Sequence, residues 1–98
     1  MKLVYSRQAL ADLDQIKTYY AANASPAIAE AVGRRLENVV DRICRAPEAA
    51  PRVAQRPQVR VAAVVRYPFQ IFYRVRADAI DILHIRHTSR RPIRGKNQ

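Results

Sequence analysis

Phe69–Val75 reads FQIFYRV, with Phe69, Ile71, Tyr73 and Val75 alternating with Gln70, Phe72 and Arg74. A period of two puts alternate side chains on opposite faces, the signature of a strand with one buried side. Tyr67-Pro68 marks a turn just upstream. Before it Val59, Val61, Ala63 and Val65 alternate with Arg60, Ala62, Val64 and Arg66. Downstream, Ala77-Asp78-Ala79 makes a second turn, and Ile80 to His87 is a third strand. Three strands joined by short turns predict an antiparallel meander.

Upstream of the meander the period changes. Lys2-Leu3-Val4-Tyr5 reads as a short strand, and Ser6 caps a helix in which Ala9, Leu10, Leu13, Ile16 and Tyr20 recur at helical spacing. Ser25-Pro26 starts a second helix, a capping hydroxyl followed by proline at the first helical position. Its apolar stripe is Ala29, Val32, Leu36, Val39 and Ile43, and Pro47 closes it. Residues 46–58, with three prolines, read as a surface connection. The fold class is therefore α+β: an antiparallel sheet with an N-terminal strand, a two-helix hairpin on one face and a C-terminal three-stranded meander, in the order β-α-α-β-β-β. One domain spans 1–98, with 93–98 a mobile basic tail.

Two helices with one apolar stripe each cover one face of such a sheet. Val59, Val61, the odd residues of Phe69–Val75, Leu83 and Ile85 are expected to point at them. Parity leaves Arg60, Arg66, Gln70, Phe72, Arg74, His84 and Arg86 on the open face. His84 and His87 differ in parity and are expected on opposite faces, which argues against a shared metal.

The net charge of +10 is unevenly placed. Residues 1–48 carry seven Lys/Arg against six Asp/Glu; residues 49–98 carry eleven against only Asp78 and Asp81. Fifteen of the eighteen basic residues are Arg, suited to bidentate contact with phosphate or carboxylate. Such asymmetry implies an acidic protein or nucleic-acid partner. The apolar fraction of 49% excludes disorder, and no apolar run is long enough for a membrane span. MKLVYSRQ (1–8) has no apolar h-region and no cleavage signature, so no secretory signal is expected, and the single Cys44, which reads as a small buried helix residue, suits a reducing cytosol. A cytoplasmic location is expected.

The element order, Ser25-Pro26, and above all VVRYPFQIFYRV (64–75) followed by IDILHIRHTSRRP (80–92) resemble the RelE/ParE superfamily of toxins from type II toxin–antitoxin modules, often described as plasmid stabilisation proteins. The resemblance runs from about Val4 to Pro92. It implies a growth-arresting toxin, without cofactor or metal, held in a hetero-oligomer by a small acidic antitoxin. That partner is expected to be DNA-binding at one end and encoded beside it. RelE-like members cleave messenger RNA in the ribosome; ParE-like members keep the fold and poison DNA gyrase.

On the RelE-like alternative the chain would be a metal-independent endoribonuclease. His87 would be its acid/base, with Arg60, Arg74 and Arg86 stabilising the phosphate. Yet the middle of the chain has no lysine, Gln70 stands where RelE-like sequences tend to carry a functional arginine, and no tyrosine follows the last strand. The ParE-like reading is therefore preferred, with Arg66, Phe72, Arg86, Arg90 and Arg91 as contacts to target or antitoxin. A third reading is a nontoxic basic RNA-binding module, for which an RNP-type aromatic motif is missing.

Overall fold

The computed structural model describes residues 1–88. Arg90 and Arg91, and the tail expected at 93–98, lie outside the described residues. The elements run β1 (Lys2–Tyr5), α1 (Arg7–Asn23), α2 (Pro26–Arg45), β2 (Arg52–Val53), β3 (Arg56–Ala63), β4 (Phe69–Val75) and β5 (Ala79–His87). Both helices begin where the sequence places a serine cap. Ser6 Oγ accepts from the Ala9 amide at 2.9 Å, and Ser25 Oγ accepts from Ile28 at 3.1 Å, with Pro26 in the first turn.

The five strands form one open sheet in the order β1-β5-β4-β3-β2. The meander β3-β4-β5 is antiparallel, but β1 pairs parallel with β5, Lys2 opposite Ala79 through Tyr5 opposite Ile82. The sheet is thus mixed rather than purely antiparallel, because the helical hairpin carries the chain across before the meander begins. A further strand, β2, lies inside the expected surface connection, and β3 starts at Arg56, before Val59. Pro57 does not prevent this: β3 pairs with the two-residue β2 only around a register shift, where a missing amide costs no regular ladder bond.

The core joins Ala9 and Ile16 of α1, the α2 stripe Val32, Leu36, Val39, Val40 and Ile43, and the sheet residues Val64, Phe69, Ile71, Tyr73, Ile80, Ile82 and Ile85. Leu10 is 54% exposed, on the outer side of α1. Cys44 is exposed as well, one residue round α2 from the buried Ile43, contrary to its reading as a core residue. Tyr73 is fully buried, and its hydroxyl donates to the Pro47 carbonyl at 2.7 Å, which ties the end of the helical layer to the middle of the sheet.

Two features correct the expected faces. On β3 the parity is inverted: Ala62 pairs with the core residue Ile71, while Val61 pairs with Phe72 on the open side. With small or β-branched apolar residues at 59 and 61–65 on both faces, alternation alone cannot orient this strand. Arg60, opposite Tyr73, consequently turns towards the helical side. On β5 the register shifts so that Phe72 pairs with His84 but Tyr73 with Ile82, leaving Leu83 as an inserted residue. Ile80 and Ile82 therefore face the core in place of Leu83, while Ile85 keeps its expected side.

Candidate functional site

The open face of the sheet collects Gln70, Phe72 and Arg74 from β4 with Arg86, His84 and Asp81 opposite them on β5. At its centre the rings of Phe72 and His84 lie stacked, 4.5 Å between centroids and 9° between planes. Both rings are half-buried. The histidine is held from each edge: Arg86 Nε donates to Nδ1 at 3.0 Å, and Arg56 Nη1 lies 3.4 Å from Nε2, reaching over β4 from β3. Burial first, then the charges of Arg86 and Arg56, push the His84 pKa down, against a smaller opposing pull from Asp12. The ring is neutral at pH 7, which suits a stacking partner beside two cations.

At the other end of the face Asp81 is buried between two arginines. Arg76 holds it through Nε at 2.7 Å and Nη2 at 2.9 Å, and Arg74 adds Nη2 at 2.9 Å. The Arg76 hydrogen bond is the largest cause lowering the Asp81 pKa, opposed by burial and reinforced by Arg74. The carboxylate thus fixes the two guanidinium groups and removes part of their charge. Neither Asp81 nor Arg56 is singled out by the sequence. A lone acid in a basic strand signals such an anchor, but Arg56 lies in a stretch that reads as loop.

The residues expected to form a nuclease centre do not converge. Arg74 and Arg86 share the open face. Arg60 Nη1 instead donates to the carbonyls of Ala50 at 2.7 Å and Glu48 at 3.0 Å, bracing the α2–β2 connection. His87 is on the helical side, edge-on to Phe69 with 5.3 Å between ring centroids, and lines a cavity with Asp12, Ile16 and Tyr20. His84 and His87 do lie on opposite faces, as their parity requires. Arg66 sits at the tip of the β3–β4 hairpin with φ 80°, a left-handed conformation at a non-glycine residue.

Among the described residues no group of three His, Cys, Asp or Glu side chains is placed to hold a metal ion. No helix among them is long and apolar enough to cross a membrane.

Residues 3–92 match a family model described as the ParE toxin of the type II toxin–antitoxin system parDE. A solved structure titled chromosomal ParDE toxin–antitoxin system from P. aeruginosa is similar at 30% identity and a TM-score of 0.82, covering 91% of this chain and 97% of that one. The isolated E. coli RelE toxin shares the fold, at 13% identity and a TM-score of 0.59, over 92% of this chain and 86% of that chain. No curated protein matches the sequence.

Proposed function

Because the chain belongs to the ParE toxin family of type II toxin–antitoxin systems, we propose that it arrests growth by binding DNA gyrase in the cytoplasm, and that an acidic antitoxin from the same operon neutralises it. On this reading the open face recognises a macromolecule and performs no RNA chemistry. The observation that carries it is the scatter of the would-be nuclease residues. Attack by a ribose 2′-hydroxyl needs a base and phosphate-stabilising cations around one phosphorus atom. Here Arg60 and His87 belong to the helical side, and Arg74 is engaged by Asp81.

A platform remains: a neutral stacked Phe72–His84 pair, with Arg86 and Arg56 at its edges. Aromatic rings flanked by arginines suit a protein contact, where such residues dominate binding energy. One observation favours ribosome-dependent RNA cleavage as a second reading, namely that Arg86 Nε donates to His84 Nδ1 on the open face, where burial and the charges of Arg86 and Arg56 push the histidine pKa down.

Two assays on the purified chain separate these. Gyrase supercoiling is expected to stop while cell-free translation leaves a pre-made messenger RNA intact. New RNA ends that arise only with ribosomes present would replace the gyrase reading with the RelE-type one.

A further inference from the structure

The cavity that His87 lines differs in charge from the rest of this basic surface. It opens between α1, the start of β4 and the end of β5, holds about 450 Å³, and sets Asp12, Gln15, Tyr19 and Tyr20 of the helix against Phe69 and His87 of the strands. That volume is in the range of small-molecule sites. The hollows against α2 and β3 each carry arginine: Arg42 in one, Arg35, Arg42 and Arg45 in the next, Arg52, Arg60 and Arg76 in another. Among the described residues the α1 cavity is lined by neither lysine nor arginine, and Asp12 is its one carboxylate. In a chain of net charge +10 the local sign is reversed here.

Aromatic rings form the wall. Tyr19 and Tyr20 stand edge to face at 5.3 Å and 89°, Tyr20 and Phe69 at 6.3 Å and 72°, and Phe69 and His87 at 5.3 Å and 82°. Successive rings near a right angle do not close into a flat stack, so π faces turn in several directions around one space. Phe69 is buried, whereas Tyr19 is 50% exposed and forms the rim.

Asp12 sits opposite this wall. Its Oδ2 accepts from the Ile85 amide at 2.8 Å and its Oδ1 from the Gln8 side-chain amide at 2.7 Å. Both donors are neutral, and Asp12 takes part in no ion pair among the described residues. Hydrogen bonds therefore fix the carboxylate and leave its charge uncompensated. An anion is repelled from such a site, and a neutral guest would desolvate the carboxylate without a partner for it. A cation gains from the carboxylate and from the negative ring faces together.

We propose that the α1–β5 cavity binds a small organic cation, an alkylguanidinium or alkylammonium compound whose charged head pairs with Asp12 while its body packs on Tyr19, Tyr20 and Phe69. A free molecule suits the cavity better than a partner's lysine or arginine, because the space accommodates an apolar body beyond the charged head. The site is independent of which macromolecule the open face recognises. It nevertheless adjoins that face: Ile85, which donates to Asp12, lies between His84 and Arg86 on β5, so its amide reports occupancy directly.

The test titrates the full chain with benzylguanidinium and with benzyl alcohol, a neutral analogue, and follows the Ile85 amide by NMR. The cation is expected to give saturable shifts and to bind at least about tenfold more tightly than the alcohol. Asp12→Asn keeps an oxygen for the Ile85 amide and removes the charge. It is expected to weaken the cation about tenfold and to leave the alcohol within about twofold. Tyr19→Leu keeps apolar bulk at the rim without the ring, and is expected to weaken the cation about threefold or more. Melting of each variant checks its folding, and Tyr19→Leu carries the test if Asp12→Asn melts early. The blocked peptide acetyl-Gly-Arg-Gly-amide separates the two sources of such a cation. Weaker binding than benzylguanidinium is expected, and clearly tighter binding would assign the cavity to a partner's side chain and overturn the free-ligand assignment. A cation bound no better than the alcohol, or shifts that never saturate, would reduce the cavity to an apolar hollow and overturn the proposal. Unchanged cation affinity in both variants would place the binding elsewhere, with the same result.

Discussion

Ser6 Oγ donates to the carbonyl of Leu83 at 2.6 Å, and the same oxygen accepts from the Ala9 amide. One hydroxyl thereby caps α1 and ties it to the inserted residue of β5, beyond the point where β1 stops pairing. Asp12 adds a second tie, its Oδ2 accepting from the Ile85 amide at 2.8 Å. Ser6→Ala is expected to cost about 1–2 kcal/mol in denaturant unfolding, the loss of a cap and of a partly buried hydrogen bond. Hydrogen exchange would localise the effect to residues 6–12 and 83–85, and a uniform loss across the sheet would contradict it.

Acid is expected to destabilise the chain in two steps. His84 has a folded pKa below its unfolded value, so the unfolded state binds more protons as pH falls through the usual histidine range, and stability declines there. Asp81 has a lowered folded pKa too; its contribution is present above the ordinary carboxylate value and is lost as pH falls through the folded one. Denaturant titrations from neutral pH to about 3 should show both slopes. Asp81→Asn should remove the lower one at a cost of roughly 1–2 kcal/mol at pH 7.

Alkaline conditions test the other end of the molecule. Burial raises the Tyr73 pKa, more than the Arg60 charge lowers it. Its stabilising contribution is complete below about pH 10 and is lost as pH rises beyond that value. Tyr73→Phe is expected to weaken this dependence while costing about 1 kcal/mol at neutral pH, the value of the bond to Pro47. An unchanged alkaline profile would mean that another group controls it.

Arg66 holds a left-handed backbone that glycine adopts freely. Arg66→Gly is expected to leave stability equal or improve it by up to about 1 kcal/mol. If the side chain contacts target or antitoxin, affinity for one of them falls in the same variant. Higher stability with full affinity for both would show that the arginine serves neither.

Arg86 is exposed, and its side chain pins one edge of the His84 ring. Arg86→Glu is expected to reduce gyrase inhibition at least tenfold, about 1.4 kcal/mol of binding, while the chain stays folded. Supercoiling assays read this directly, and undiminished inhibition would take Arg86 out of the recognition face.

The meander was legible because Phe69–Val75 alternates cleanly between large apolar and polar side chains, and the helices because Ser6, Ser25 and Pro26 mark their starts. The orientation of β3 was not. Its apolar residues occupy both parities, so packing against Ile71 and Tyr73 decides which side Arg60 takes. The insertion at Leu83 was equally hidden, since LHI reads as ordinary alternation and the compensating contact comes from Ser6, far away in sequence. Of the open-face set, Gln70, Phe72, Arg74, His84 and Arg86 emerge as expected, because they lie on the two strands where β4 fixes the register. Arg56 and Asp81 join them only through contacts that local pattern does not encode.

The parallel pairing of β1 with β5 has a consequence for biosynthesis. Among the described residues Lys2–Tyr5 pairs with Ala79–Ile82 alone, and α1 is anchored to Leu83 and Ile85. During translation, therefore, the first strand and first helix wait for the last strand, and contacts of such long range form late. The open face is completed by β5, so a nascent or truncated product lacking it presents neither the stacked pair nor Arg86. If the open face is what recognises the target, only a finished polypeptide carries it.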